Sequence, residues 1–402
     1  MRRLPGHPPR RLAAILFWSV IAAAFIGPGT VTTAASAGAR FGPRLLWALT
    51  FSTLACLLLQ EASARLTVVS GRTLGQALAD RYPRGVGRVL TLIVVLGAVV
   101  LGCAAYEAGN ILGGVAGAAL GIALPTAWLT TGCGALAALL LWWGSPAVVA
   151  RILSVFVAVM GVAFVVTALW LQPPLGEVVR GAVVPAAPSG SAVLILGLVG
   201  TTVVPYNLFL GSGLARGQTL PDLRFGLSVA VVLGGVISMA VVLVGVLVEG
   251  PFSFPALAAV LETRLGPWAR YFLAGGLFAA GLSSAITAPL AAAITARDLF
   301  PTAAWGERSL PFRAVWLAVL AVGVGFGLSG IRPVPAIIAA QAFNGVLLPL
   351  VAVYLFLAVN DRRLMGEARN GPLANLLLGA VVLVALVLGG RNLYLALSKL
   401  FL

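Results

Sequence analysis

FIGPGTVTT, residues 25–33, interrupts the first long apolar stretch of this 402-residue chain with Gly-Pro-Gly and follows it with three threonines. A helix broken inside hydrocarbon leaves amides and carbonyls without partners. Such a break survives only where it is buried in protein or lines a polar cavity. The stretch therefore marks a candidate site, provided that the chain around it lies in a membrane.

Composition supplies that condition. Hydrophobic residues make up 60% of the chain and charged residues 9%, in long apolar runs separated by short Arg-containing loops. This is the pattern of an all-α polytopic membrane protein. Runs of roughly 18 residues or more predict about eleven spans. Their centres are expected near Ala24, Leu57, Val99, Cys133, Ala158, Val203, Leu243, Leu282, Ala321, Leu348 and Val382. The connections are short, so no soluble domain is expected and the lipid bilayer is the chain's principal surrounding.

The formal net charge of +15 does not form a nucleic-acid surface. With the N-terminus inside, 18 of the 26 Lys and Arg fall on the cytoplasmic side, among them Arg2, Arg3, Arg10, Arg11, the group from Arg65 to Arg88, Arg362, Arg363 and Arg369. This positive-inside bias predicts a multi-pass protein of the cell membrane with a cytoplasmic N-terminus and an external C-terminus. The tail MRRLPGHPPRR is not expected to be a cleavable signal, because its apolar segment runs too long and ends in no small-residue cleavage site. Cys56, Cys103 and Cys133 lie in apolar runs without CxxC spacing and read as core residues. The one histidine, His7, is in the basic tail, so no histidine chemistry is expected within the membrane.

A second interrupted span, GLVGTTVVPYNLFLGSG at 197–213, follows about five helices later. Uninterrupted spans come after both breaks, LLWALTFSTLACLLLQ after the first and FGLSVAVVLGGVISMAVVLVGVLV after the second. Matching breaks in two halves point to an inverted-repeat transporter with a binding site at the bilayer midplane. The expected organisation is a basic tail at 1–12, repeat one at 13–172, an external loop at 173–190, repeat two at 191–359, and a loop plus last span at 360–402. The competing reading is that Pro28 and Pro205 merely kink packed helices. Polar clusters at both breaks favour a site: Thr30, Thr32 and Thr33 at one, Thr201, Thr202, Tyr206 and Asn207 at the other.

The run GPGTVTTAASAGARFGPRLLWALTFSTLACLLLQEASARLTVVSG resembles the first two helices of the natural-resistance-associated macrophage protein (NRAMP) family. The resemblance continues through VPYNLFLGS, GLSSAIT at 281–287, and QAFNGVLLPL with DRRLMG at 361–366, in order along nearly the whole chain. It implies a LeuT-type fold of five-plus-five inverted repeats with helices 1 and 6 broken, and proton-coupled uptake of divalent transition metals. In the family, the first break reads Asp-Pro-Gly-Asn, whose Asp and Asn give oxygens to the metal. The matching positions here are Gly27, Pro28, Gly29 and Thr30. The family's sixth helix places Met before the Pro and His after it, where this chain has Val204 and Tyr206. Thr201 falls where the family offers a backbone carbonyl.

A divalent cation moved into a midplane cavity needs negative ligands to replace its hydration, and transition metals also favour soft sulfur. This site offers neither. One carboxylate remains in the third span, Glu107 within LGCAAYEAGNILGG, a candidate for proton or cation coupling. The alternative is that Glu107 only hydrogen-bonds Tyr or Asn neighbours. Glu61 and Arg65, at i, i+4, read as a structural pair. Gln341 and Asn344 share one face of the tenth span and either line the cavity or tie helices together. Ser283, Ser284 and Thr287 read as close-packing small residues, and GFGLSG at 325–330 as helix packing rather than a dinucleotide motif.

With Gly27 in place of an acid, the amide-rich helix starts at the breaks are not neutralised. The expected function is therefore an alternating-access secondary transporter whose substrate, a small solute or ion, has diverged from manganese and iron. Its expected substrate-binding residues are Gly27, Thr30, Thr201, Val204, Tyr206, Gln341 and Asn344, with no catalytic residue and no cofactor. Two alternatives stay open: a hard-oxygen divalent cation site using Glu107, Thr30 and Gln341, and a non-transporting membrane sensor. No nucleophile elbow, membrane histidine or carboxylate pair at catalytic spacing supports an enzyme.

Overall fold

The computed structural model describes residues 26–81, 84–143, 146–300 and 302–398, together with 11, 14, 15, 17–19 and 21. The basic tail, His7 and the first-span centre at Ala24 lie outside the described residues. Among those described there is no β-strand. Nine stretches of the described residues are long and apolar enough to cross a bilayer. The first of them, Pro28–Ser70, holds two helices, Pro28–Phe41 and Leu46–Ser70, joined by the 3-10 turn Gly42–Leu45. With Pro146–Trp170, the described residues place a helix in each of the eleven expected spans.

Span 1 ends with Pro28–Phe41 and span 2 is Leu46–Ser70. Spans 3, 4 and 5 are Gly97–Ala118, Thr126–Trp143 and Pro146–Trp170. Span 6 is split into Ala192–Thr202 and Pro205–Leu214. Spans 7 to 11 are Leu220–Gly245, Trp268–Leu299, Leu310–Leu328, Pro333–Val359 and Pro372–Ser398. Polar caps start several helices: the Thr219, Ser253 and Ser309 side chains accept backbone amides at the starts of span 7, the helix Phe254–Leu265 and span 9.

Spans 1 and 2 each pack on spans 6 and 7, spans 4, 8 and 9 form a second group around span 3, and span 5 packs on spans 8 and 7. Span 10 lies between them, along the first half of span 6 and along span 3. This is the expected LeuT-type architecture. Glycines set the closest crossings: a Cβ at Gly114 would lie 3.2 Å from the Gly281 Cα, so spans 3 and 8 meet backbone to backbone.

Three details differ from the expectations. Span 7 is not centred near Leu243, which lies close to the end of its helix. The helix begins at Leu220, where Thr219 caps it and Asp222 complements its positive end, ahead of the longest apolar run. The segment expected as a loop at 173–190 contains a helix, Leu175–Val183. Span 3 extends backward through a π turn at Leu92–Leu96 to a further helix at Gly85–Thr91.

At the Arg65 end of the molecule, polar contacts tie the groups together. Arg65 Nε pairs with Glu61 at 3.1 Å, its other nitrogens donate to the Ala368 carbonyl and to Asn370, and Arg224 pairs with Glu61 at 3.0 Å. The expected structural Glu61–Arg65 pair is thus part of a larger cluster. Thr73 Oγ1 donates to Asp298 at 2.6 Å, and Arg81 pairs with Asp361 at 2.9 Å.

Candidate functional site

Both interruptions arise from local sequence. Gly27 is extended at the start of its half-helix, and Pro28 occupies the first helical position, where a missing N–H costs nothing. In span 6 the helix stops at Thr202, Val203 and Val204 leave helical geometry, and Pro205 starts the second half. Neither Gly27 nor Val204 supplies a side-chain cap, so both helix starts present uncapped amides inside the protein.

The two breaks meet. Thr30 Oγ1 and Thr201 Oγ1 are 2.8 Å apart, across 171 residues of sequence, and both threonines are buried. Tyr206 packs edge-on against Tyr106 of span 3, with ring centroids 5.5 Å apart, and the Tyr106 side chain pairs with Thr201. A Cβ placed on Gly27 would lie 3.5 Å from Ser284 Oγ and 3.9 Å from Tyr106 Oη. Span 8 therefore faces the first break through Ser284. Gln341 reaches over the same break: a Cβ on Gly29 would lie 2.6 Å from the Gln341 Cδ, and one on Gly109 3.5 Å from its Nε2.

Four expected residues, Gly27, Thr30, Thr201 and Tyr206, thus lie in one cluster. Gln341 joins it through Gly29. Val204 contributes as the uncapped residue at the second helix start. Asn344 points elsewhere, toward Gly102 of span 3, with its Nδ2 donating to the Ala340 carbonyl at 3.2 Å. Glu107 is fully buried against span 9: its Oε2 accepts from Asn110 Nδ2 at 3.2 Å, and a Cβ on Gly323 would lie 2.6 Å from its Cγ. Tyr106 and Ser284 are additional members. The polar run around Tyr106, Glu107 and Asn110 was the only sequence signal for the former, and Ser284 carried none beyond its type.

Several buried polar atoms at the breaks have no partner. Tyr206 Oη, Ser284 Oγ and both polar atoms of Gln341 and of Asn207 make no hydrogen bond. Each buried donor or acceptor left unsatisfied costs about 1–3 kcal/mol, which a purely structural core avoids. The set is uncharged and carries both donors and acceptors. Among the described residues no group of three or more His, Cys, Asp or Glu side chains is arranged to hold a metal ion.

A family model described as natural resistance-associated macrophage protein-like matches residues 19–395. A divalent metal cation transporter, MntH, of Klebsiella pneumoniae is 25% identical over 392 residues, covering 92% of this chain and 91% of that protein. The MntH of Yersinia pestis is 25% identical over 399 residues, covering 95% and 94%. Among solved structures, a manganese transporter of Eremococcus coleocola superposes with a TM-score of 0.77 at 19% identity, covering 96% of this chain and 88% of that one. Mhp1, a nucleobase-cation-symport-1 family transporter, superposes with a TM-score of 0.62 at 16% identity, covering 99% and 96%.

Proposed function

Because the chain belongs to the natural resistance-associated macrophage protein family, we propose that it is a multi-pass transporter of the cell membrane. Its N-terminus is cytoplasmic and its C-terminus external. It works by alternating access, with spans 1, 2, 6 and 7 rocking against the remainder around a midplane site. The observation that carries this reading is the Thr30–Thr201 hydrogen bond, which joins the two helix breaks amid unpartnered Tyr206, Gln341, Asn207 and Ser284.

The substrate differs from the metals named for the relatives. Hydroxyls and amides offer a dipositive ion no formal charge, and Val204 and Tyr206 stand where the family has its sulfur and imidazole. The uncapped amides of Pro28–Phe41 and Pro205–Leu214 instead favour a neutral, zwitterionic or anionic solute. One observation favours a second reading, a hard-oxygen divalent site: Glu107 Oε1 is buried and makes no hydrogen bond. Its packing against Gly323 keeps its stem in the interface between spans 3 and 9, which weighs against that reading.

The test is tracer uptake of manganese, and separately of magnesium, into proteoliposomes with and without a pH gradient. This reading predicts no saturable uptake of either by folded protein. Saturable manganese uptake would overturn it, and uptake of magnesium alone would establish the hard-oxygen site.

A further inference from the structure

The midplane cluster is buried, and the route to it is written on the half-helix Pro28–Phe41. Thr30, Thr33, Ser36 and Arg40 follow one another at spacings of three, three and four, so they share one face of that helix. At a rise of about 1.5 Å per residue the stripe is about 15 Å long. Thr33 Oγ1 and Ser36 Oγ are buried without hydrogen-bond partners. Thr33 lies against span 6, its Cγ2 3.0 Å from where a Gly197 Cβ would sit.

The far end of the stripe opens into a cleft of about 800 Å³, whose lining includes Ser36, Arg40, Val193, Gly250, Arg332 and Ile338. Its position places it one helical turn beyond Gln341, since Ile338 precedes Gln341 by three residues on span 10. Arg40 and Arg332 are both exposed, and neither has an ion-pair or hydrogen-bond partner among the described residues. Arg40 stacks on the Phe41 ring, 5.3 Å from its centroid, and also lines an adjoining cleft with Arg44, Arg180 and Glu177. The acid next to the first cleft in sequence, Glu249, is exposed and unpaired. Cations therefore outnumber acids around the mouth.

Arg332 is the sharper observation. It is the N-cap residue of span 10, a 27-residue helix with no side-chain cap. A cation at a helix N-terminus opposes the helix dipole. Pro333 and Pro335 carry no N–H, so Val334 is the only amide of that first turn able to donate, and the positive character of the concave surface comes chiefly from the two guanidinium groups, which attract anions and repel dipositive ions.

We propose that this cleft is an external entry site for small anions bearing carboxylate or phosphate oxygens. Arg40 and Arg332 capture the anion, and Ser36 and Thr33 lead it to Thr30 and Thr201. The proposal rests on the transport reading above and narrows its substrate class.

The full-length protein in phosphatidylcholine proteoliposomes tests it, with tracer lactate and tracer inorganic phosphate as probes in separate arms. The expected result is saturable uptake of one of them, which identifies the carboxylate or the phosphate as the recognised group. The double change Arg40→Gln, Arg332→Gln should raise its KM roughly tenfold or more with Vmax retained, and raised ionic strength should act in the same direction on the wild type. Arg40→Lys, Arg332→Lys should keep most of the affinity. Folding of each variant is read from its gel-filtration profile after heating. Saturable anion uptake that is unmoved in the Gln variant but altered by Thr30→Val would overturn the entry site and leave the midplane reading standing. Uptake of neither anion by folded protein overturns the proposal, and manganese uptake in their place overturns both readings.

Discussion

Replacing Gly200 by Ala tests how the second break is held. A Cβ at Gly200 would meet the Gln341 carbonyl oxygen at a distance no real Cβ shows, and would lie 2.5 Å from the Gly345 nitrogen, where ordinary contact is 3.4–4 Å. All of these are backbone atoms, so no rotamer change relieves the clash. Spans 6 and 10 must separate by about 1 Å, a gap that forfeits a quarter to a half of each affected dispersion contact. Overpacking of this kind costs about 2–3 kcal/mol, or roughly 30- to 150-fold in the folded-to-unfolded ratio. The shift also carries Thr201, the next residue, away from Thr30. Gly213, on the second half of the same span, is the internal control, because nothing lies within 4 Å of its Cβ position. Gly213→Ala should be neutral or stabilising by up to about 1 kcal/mol. The assay is fluorescence-detected gel filtration of detergent-solubilised protein after stepwise heating. Gly200→Ala should lose its monodisperse peak at a clearly lower temperature than the wild type, and Gly213→Ala should not. Equal melting of Gly200→Ala and wild type would refute the packing argument.

Other perturbations probe the remaining contacts. Thr30→Val removes the hydroxyl joining the two breaks and should cost about 1 kcal/mol, seen as a small drop in the same melting assay. A drop as large as that of Gly200→Ala would contradict that assignment. Arg65→Met strands the Asn370 side chain and the Ala368 carbonyl and leaves Glu61 with Arg224 alone, so it should destabilise by about 2 kcal/mol, a value reduced for the pair's partial exposure. Wild-type melting would show that the cluster contributes nothing. Gly27→Asp has room for its Cβ at ordinary contact distance from Ser284 and Tyr106 and places a carboxylate at the break. Calorimetric titration with manganese should show saturable binding to this variant that the wild type lacks, and its absence would show that charge at this position is not what the site is missing.

Much of the architecture was legible because membrane sequences carry strong signals. Gly27-Pro28-Gly29 and Pro205 announce breaks on their own, and the long apolar runs announce the spans. The meeting of Thr30 with Thr201 was not legible as a contact, since only tertiary packing joins residues 171 apart. The π turn at Leu92–Leu96 lies in a plain apolar run with no proline or glycine to mark it. Glu107 illustrates another limit. The sequence identifies an intramembrane acid, but a helix places residues on every side, and only the absent Cβ of Gly323 reveals that this one is buried against span 9. The start of span 7 is not legible from hydropathy, which weights the apolar core of a helix and ignores the polar, capped turn that begins it. Ser284 carries no periodic or charge signal that distinguishes a site residue from a packing one.

Accessibility of the junction between the breaks tests the central claim most directly. Thr201 is fully buried, and the native Cys56, Cys103 and Cys133 are buried as well. Thr201→Cys, in a background with those three cysteines replaced, is exposed to a membrane-impermeant thiol reagent from outside intact cells and, separately, from the cytoplasmic face of inverted vesicles. Alternating access around a midplane site predicts labelling from both sides. Labelling from one side only would contradict a transporter and indicate a membrane receptor that opens to a single face.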